Sequence, residues 1–177
     1  MVNLPNKITL MRIALIPIFI IVLYLNIPYK GTIAALVFTL LALTDTLDGY
    51  IARKKDQKTE VGGFIDPLAD KLLVSAALIF LIGHGVEAWM AFIIIAREFS
   101  VTGLRILAAA KGVNIHASKL GKLKTVSQVI AVIAVLMNLD TILLGFALSW
   151  WLMLIAVIFT LISGIDYFLE SKKLLNE

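Results

Sequence analysis

Six runs of predominantly apolar residues, at approximately 8–26, 31–53, 64–83, 86–110, 121–139 and 141–170, occupy almost the whole chain. No other feature restricts its fold so severely. A helix crosses a bilayer core with about 20 mostly apolar residues, so each run is long enough for one crossing. Apolar residues fill 60% of the 177 positions and the mean hydropathy is +0.98, above the roughly 45–50% apolar share of soluble domains. What remains between the runs is too short for a separate soluble domain. The expectation is an all-α integral membrane protein, a six-transmembrane-helix bundle forming one domain over residues 1–177. The absence of cysteine excludes disulfides, thiolate metal sites and a cysteine nucleophile. The opening MVNLPNKITLMR does not read as a signal peptide, because the apolar run after it continues without a small-residue cleavage site.

The connectors are brief and built from turn-forming residues: Asn26 to Lys30 with Pro28, Gly83 to Gly85, and Asn138 to Asp140. The last run is long enough for one tilted helix with a polar extension, or for a short lead-in segment followed by a helix. Lys7 and Arg12 flank the first run. Lys54, Lys55 and Lys58 fill the second connector, Lys111, Lys119, Lys122 and Lys124 the fourth, and Lys172 and Lys173 the end of the chain. The alternate connectors hold only Lys30, with His84, Glu87 and Asp140. Lys and Arg concentrate on the cytoplasmic side of membrane proteins, which puts both termini and the Lys-rich connectors in the cytoplasm, at a plasma membrane crossed an even number of times. Leu4, Ile8 and Met11 set against Asn3, Asn6 and Lys7 fit either a short N-terminal interfacial helix or the start of the first span.

The stretch TDTLDGYIARKKDQKTEVGGFIDPLADKLL, residues 44–73, places four carboxylates at the cytoplasmic ends of two consecutive spans. Asp45 and Asp48 are three residues apart and Asp66 and Asp70 four apart, so each pair shares one helix face. Gly49 and Ala52 follow Asp45 and Asp48 by one turn. Pro67 suits the first turn of a helix, where its missing N–H is not needed. The residue before a proline tends to leave the α region, which offers Asp66 as a cap. A connector of about eight residues lets the two spans pack antiparallel with their carboxylates converging. Four such groups cannot all stay ionised together without counter-charge. Two divalent cations would balance them, and all-oxygen ligands favour Mg²⁺ or Mn²⁺ over Zn²⁺. Paired cations suit phosphoryl chemistry. The small residues Gly49, Ala52, Gly62 and Gly63 admit a bulky substrate to the backbone, and Arg53 is placed to grip a phosphate with paired donors. The plainer alternative is a set of helix-capping carboxylates. It suits Asp66 but not Asp45 and Asp48, which lie near a helix C-terminus where the dipole disfavours negative charge. Ionisable residues in or near the membrane are commonly functional.

These residues carry a resemblance. Asp45, Asp48, Gly49, Ala52, Arg53, Gly62, Asp66 and Asp70 fit without departure the signature D-x2-D-G-x2-A-R-x8-G-x3-D-x3-D of the CDP-alcohol phosphotransferase family. The length and six-span layout are similar too, so the resemblance covers essentially the whole chain. It implies a homodimeric membrane enzyme that displaces CMP from a CDP-activated lipid with an alcohol, at the cytoplasmic face. It further implies that Asp45, Asp48, Asp66 and Asp70 hold the metal ions and that Asp70 is the general base. Asp48, Gly49, Ala52, Arg53 and Gly62 would form the cytidine-diphosphate site.

A second segment, IIIAREFSVTGLRILAAAKG at 93–112, bears on the acceptor. Arg97 and Glu98 lie near mid-span, where a charge costs several kcal/mol unless paired or facing a cavity. Glu98, Thr102 and Arg105 fall on one helix face. One reading is a Glu98–Arg105 bridge inside the bundle. The other is an anion pocket of Arg105, Lys122, Lys124 and Arg97 beside the metals, suited to an acceptor that bears a phosphate. The segments REFSVTGLR, FIDPLADKLL and NLPNKITLMRIALIP look like the branch of the family whose donor is CDP-diacylglycerol and whose acceptor is glycerol 3-phosphate. Inositol phosphate, inositol or serine as acceptor, and an ether-lipid donor, remain open alternatives. His84 and His116 read as lone histidines rather than metal ligands, Trp89, Trp150 and Trp151 as interface anchors, and Asp166 receives no role. The Lys-rich connectors suit topology and anionic headgroups rather than nucleic acid. The rival class is a divalent-cation transporter, which calls for carboxylates near mid-membrane with access from both sides. Here the aspartates gather at one face.

Overall fold

The computed structural model describes residues 4–54, 60–110 and 119–175, with side chains at 10–44, 69, 71–108 and 120–169. Within these residues the chain forms six long helices. They are α1 (Leu4–Tyr24), α2 (Lys30–Lys54), α3 (Glu60–Phe80), α4 (Ala88–Ala110), α5 (Lys119–Leu136) and α6 (Leu148–Leu175). Between α5 and α6 lies a two-stranded antiparallel hairpin, β1 (Ile142–Leu143) and β2 (Phe146–Ala147). At 1.5 Å per residue the helices run from about 27 to 42 Å. The stretch Leu148–Leu169 of α6 is long and apolar enough by itself to cross a membrane. Leu10–Tyr24, Lys30–Thr44 and Lys71–Phe80 are shorter apolar stretches.

Each helix begins and ends for local reasons. Pro5 falls in the first turn of α1, where its missing N–H is harmless. The helix then runs unbroken through Pro17, so residues 4–24 form one helix with no separate interfacial helix before it; the apolar run from Ile8 onward simply propagates the first turn. Asn138 (φ 49°) adopts a left-handed conformation and ends α5, its N–H donating to the Val135 carbonyl. Gly83 (φ 79°) and Gly85 (φ 101°) turn the chain between α3 and α4. Two boundaries differ from the sequence expectation. Helix α3 begins at Glu60 rather than near 64, so Asp66 and Pro67 lie within it instead of at its cap and first turn. The lead-in to α6 is the β-hairpin.

The helices pack as two triplets. Helix α1 lies along α2 and α3, and α6 lies along α4 and α5; α2 against α5 and α3 against α4 join the two groups. Alanines at the crossings bring the backbones close: Ala34, Ala77, Ala131 and Ala156 are fully buried. Phe19 and Phe38, with ring centroids 5.8 Å apart, fill the α1–α2 interface beside Leu78, Met90, Ile94, Val132 and Met153. At Gly31 the start of α2 meets the end of α5 so closely that a Cβ would stand 2.1 Å from the Leu136 carbonyl oxygen. A Cβ cannot be accommodated there without parting the helices.

Candidate active site

Both halves of the aspartate motif lie on helices that the core positions. Asp45, Asp48, Gly49, Ala52 and Arg53 occupy the last third of α2, and Gly62, Asp66 and Asp70 the first half of α3. Their side chains lie outside the described residues, so the expected convergence of the carboxylates does too. The backbone register is described. On α2 the buried stripe comprises Ala34, Ala35, Phe38 and Leu41. At 100° per residue, positions 45, 48, 49, 52 and 53 all fall within about 70° of the centre of that stripe. On α3 the buried positions are Ala69, Leu73, Val74, Ser75, Ala77 and Leu78. Positions 66 and 70 fall within about 45° of their centre and position 62 within about 85°. All eight motif positions therefore continue the inward stripes of two helices that touch each other.

Beside the turn that precedes the first aspartate stands a buried arginine, at a position that in the sequence serves only to mark topology. Arg12 of α1 is 2% exposed, and its Nε donates to Thr44 Oγ1 at 3.3 Å. Thr44 Oγ1 in turn donates to the Leu41 carbonyl. This ties α1 to the turn of α2 that precedes Asp45. Burial of an arginine cannot be read from a sequence in which it sits one turn inside an apolar run.

Immediately after Asp70 on α3, Lys71 lines a small cavity of about 10 Å³ together with Val74, Glu98, Lys124, Thr125 and Gln128. That is room for about one water molecule. Lys124 of α5 donates to Glu98 of α4, and both are buried. Arg97 Nη1 lies 3.4 Å from the same carboxylate oxygen, while its Nη2 donates to Ser163 Oγ of α6 at 2.9 Å. The guanidinium also sits 5.6 Å from the centre of the Tyr167 ring, a cation–π distance. Its stem lies against Gly164, where a Cβ would stand 3.1 Å from Arg97 Cγ. Gln128 Nε2 donates to Thr160 Oγ1 at 2.9 Å. Glu98 and Arg97 thus knit α4, α5 and α6 together, beside Lys71 and Val74 of α3.

The charge partners differ from those expected. Glu98 pairs with Lys124 and Arg97 across helices and not with Arg105, which lies two turns further along α4 and is exposed. Lys122 is exposed as well. Of the four basic residues assigned to an anion pocket, Lys124 lines the cavity and Arg97 contacts its Glu98 wall; Arg105 and Lys122 do not line it. Lys71 and Gln128 do, and helical periodicity alone did not single them out. Trp89 is 46% exposed, and Trp150 and Trp151 stand at the start of α6 beside the hairpin.

Known proteins resemble this chain over nearly its whole length. The CDP-alcohol phosphatidyltransferase family profile matches residues 2–162. A Bacillus subtilis protein named CDP-diacylglycerol–glycerol-3-phosphate 3-phosphatidyltransferase is 47% identical, over 99% of this chain and 98% of its own. Proteins of the same name from Rickettsia bellii (41% identical, 97% of this chain and 96% of theirs) and Shigella flexneri (37%, 96% and 95%) are similar over nearly their whole lengths.

Proposed function

Because the chain belongs to the CDP-alcohol phosphatidyltransferase family, we propose that it transfers the phosphatidyl group of CDP-diacylglycerol to glycerol 3-phosphate, giving phosphatidylglycerophosphate and CMP. The observation that carries the reading is the eight-position aspartate motif continuing the inward stripes of α2 and α3. Full-length similarity to relatives named for this reaction supports the choice of donor and acceptor.

An all-carboxylate donor set fits a pair of hard divalent ions, Mg²⁺ or Mn²⁺, and Asp45, Asp48, Asp66 and Asp70 would hold them. When bound, such ions polarise phosphoryl oxygens and neutralise charge that builds up during transfer. The rest falls to the chain's own residues. Asp70 accepts the proton of the acceptor hydroxyl as its oxygen bonds to the lipid-bearing phosphorus. The bond from that phosphorus to the bridging oxygen breaks, and CMP departs with the electron pair. Asp48, Gly49, Ala52 and Gly62 let the cytidine diphosphate approach the helix backbones, and Arg53 offers it paired donors. The acceptor phosphate is drawn by Lys124, with Arg97 behind Glu98, and by the exposed Arg105 and Lys122 on the approach.

The membrane setting follows from the donor, whose acyl chains never need to leave the bilayer. Every helix carries large apolar side chains on its outer side, such as Ile18, Leu36, Ile79, Phe92, Ile130 and Ile158, all exposed. Apolar surface that extensive is unsuited to water and supports six crossings, with the Lys-rich connectors and both termini in the cytoplasm. A homodimer is the assembly proposed, by family.

An acceptor panel tests the proposal. CMP release from CDP-diacylglycerol is followed with glycerol 3-phosphate, inositol phosphate, inositol or serine, in Mg²⁺ and in Mn²⁺. Glycerol 3-phosphate is expected to support turnover well above the others. Release with inositol or serine alone would move the acceptor assignment. No release with any alcohol, together with cation flux into vesicles, would replace the enzyme with a transporter.

A further inference from the structure

The hairpin between α5 and α6 stands at the end of the bundle away from the aspartates, together with the α1–α2 connector and the Gly83–Glu87 turn. Its loop is the pair Leu144-Gly145, since Leu143 faces Phe146 across the ladder. Both loop residues have positive φ, 52° at Leu144 and 86° at Gly145, the backbone of a tight hairpin turn that favours Asn, Asp or Gly at each position. Leucine is a poor choice there: its Cβ strains a left-handed backbone, and the side chain is 82% exposed. In water a polar residue or glycine would serve the turn better on both counts. The neighbours repeat the choice. Ile142 is 76% exposed, Leu143 and Phe146 about half exposed, and no charged residue occurs from 141 to 165.

We infer that this hairpin is an interfacial lipid anchor, with Ile142 and Leu144 set among the acyl chains of the outer leaflet. The inference rests on the membrane reading above and goes beyond it: a loop between spans ordinarily belongs to water. The hairpin is held rigidly to the apolar span of α6. Trp151 Nε1 donates to the Leu143 carbonyl at 2.8 Å, and the Leu148 N–H donates to the Thr141 carbonyl at 2.9 Å. Phe146 stacks on Trp150 at 4.3 Å and meets Trp151 edge-on. At the same end of the bundle are Tyr24, packed edge-on against Phe80, with Tyr29 and Trp89, all exposed. Tyr and Trp gathered at one level mark a membrane–water boundary. The exposed apolar face of the hairpin is continuous with the outer face of α6 at Ile155, Ile158 and Ile162. A lipid phase fits that continuity, because it covers hairpin and helix alike.

The chain has no cysteine, so single cysteines can be spin-labelled in the otherwise unchanged full chain. Ile142→Cys, Leu144→Cys, Ile158→Cys and Asp140→Cys would be labelled in phosphatidylglycerol–phosphatidylcholine vesicles. Collision with oxygen, which concentrates in acyl chains, is compared with collision with a water-soluble nickel chelate. The oxygen-to-nickel ratio at 142 and 144 is expected several-fold above that at 140 and close to that at 158. A ratio at 142 and 144 equal to that at 140, with 158 still high, overturns the anchor and leaves the membrane reading standing. Low access to both reagents at 142 and 144 means that protein covers the hairpin, and also overturns it. Nickel access at 158 would overturn the membrane reading itself.

Discussion

Replacing Glu98 by leucine removes the carboxylate that Lys124 and Arg97 share. Glu98 and Lys124 are 9% and 8% exposed at their side chains, so the ammonium would be left buried beside a second cation. Breaking a buried pair in this way costs about 3–5 kcal/mol, because the surviving charge stays desolvated and loses a bonded carboxylate. For a chain of this size that corresponds to a fall in melting temperature of roughly 10 °C. The double variant Glu98→Leu/Lys124→Met removes both charges and fills similar volume, an exchange that is often near neutral. Arg97 then keeps Ser163 and the Tyr167 ring and loses only its 3.4 Å contact. The double variant is therefore expected to recover most of the loss, with a coupling of about 3 kcal/mol between the sites. Reversible unfolding in mixed micelles, followed by tryptophan fluorescence, measures it. Transfer activity should stay low in the double variant, because Lys124 is also assigned to the acceptor phosphate. If the double variant is as unstable as the sum of the singles, the two charges do not stabilise the bundle through one another, and the reasoning fails.

Gly31→Ala forces a Cβ to within 2.1 Å of the Leu136 carbonyl oxygen and is expected to destabilise by about 1–3 kcal/mol. Gly103→Ala, with open space around its Cβ, should be neutral or stabilising by up to about 1 kcal/mol in the same titration. Asp70→Asn is expected to abolish turnover while binding of a CDP-lipid analogue persists; loss of both together would make Asp70 chiefly a ligand. Arg105→Ala should raise KM for glycerol 3-phosphate several-fold with kcat largely kept, and an unchanged KM would remove Arg105 from the approach path. Chelation with EDTA should stop CMP release, and Mg²⁺ or Mn²⁺ should restore it.

The helices were legible because six apolar runs separated by Pro, Gly and Asn leave little else for the chain to do. Their helical register was legible around the motif, since Asp45 and Asp48 fall in α2 and Asp66 and Asp70 in α3, as their spacing requires. Partners across helices were not. Periodicity put Glu98 and Arg105 on one face, yet Lys124 reaches Glu98 from a different helix, and only packing decides that. Arg12 read as a flank although it is buried against Thr44. The hairpin escaped notice because two-residue strands carry no alternation, and Leu-Gly replaces the Asn-Gly or Asp-Gly that usually announces such a turn. The start of α3 was displaced because Pro67 was weighed as a helix start, whereas the helix runs through it.

The central claim is that α2 and α3 bring four carboxylates to a shared pair of cations. Anomalous diffraction from crystals grown with Mn²⁺ addresses it most directly. The account expects two manganese peaks between the helices, contacted by Asp45, Asp48, Asp66 and Asp70. Manganese bound elsewhere, or these carboxylates turned away from one another with no ion between them, would contradict it.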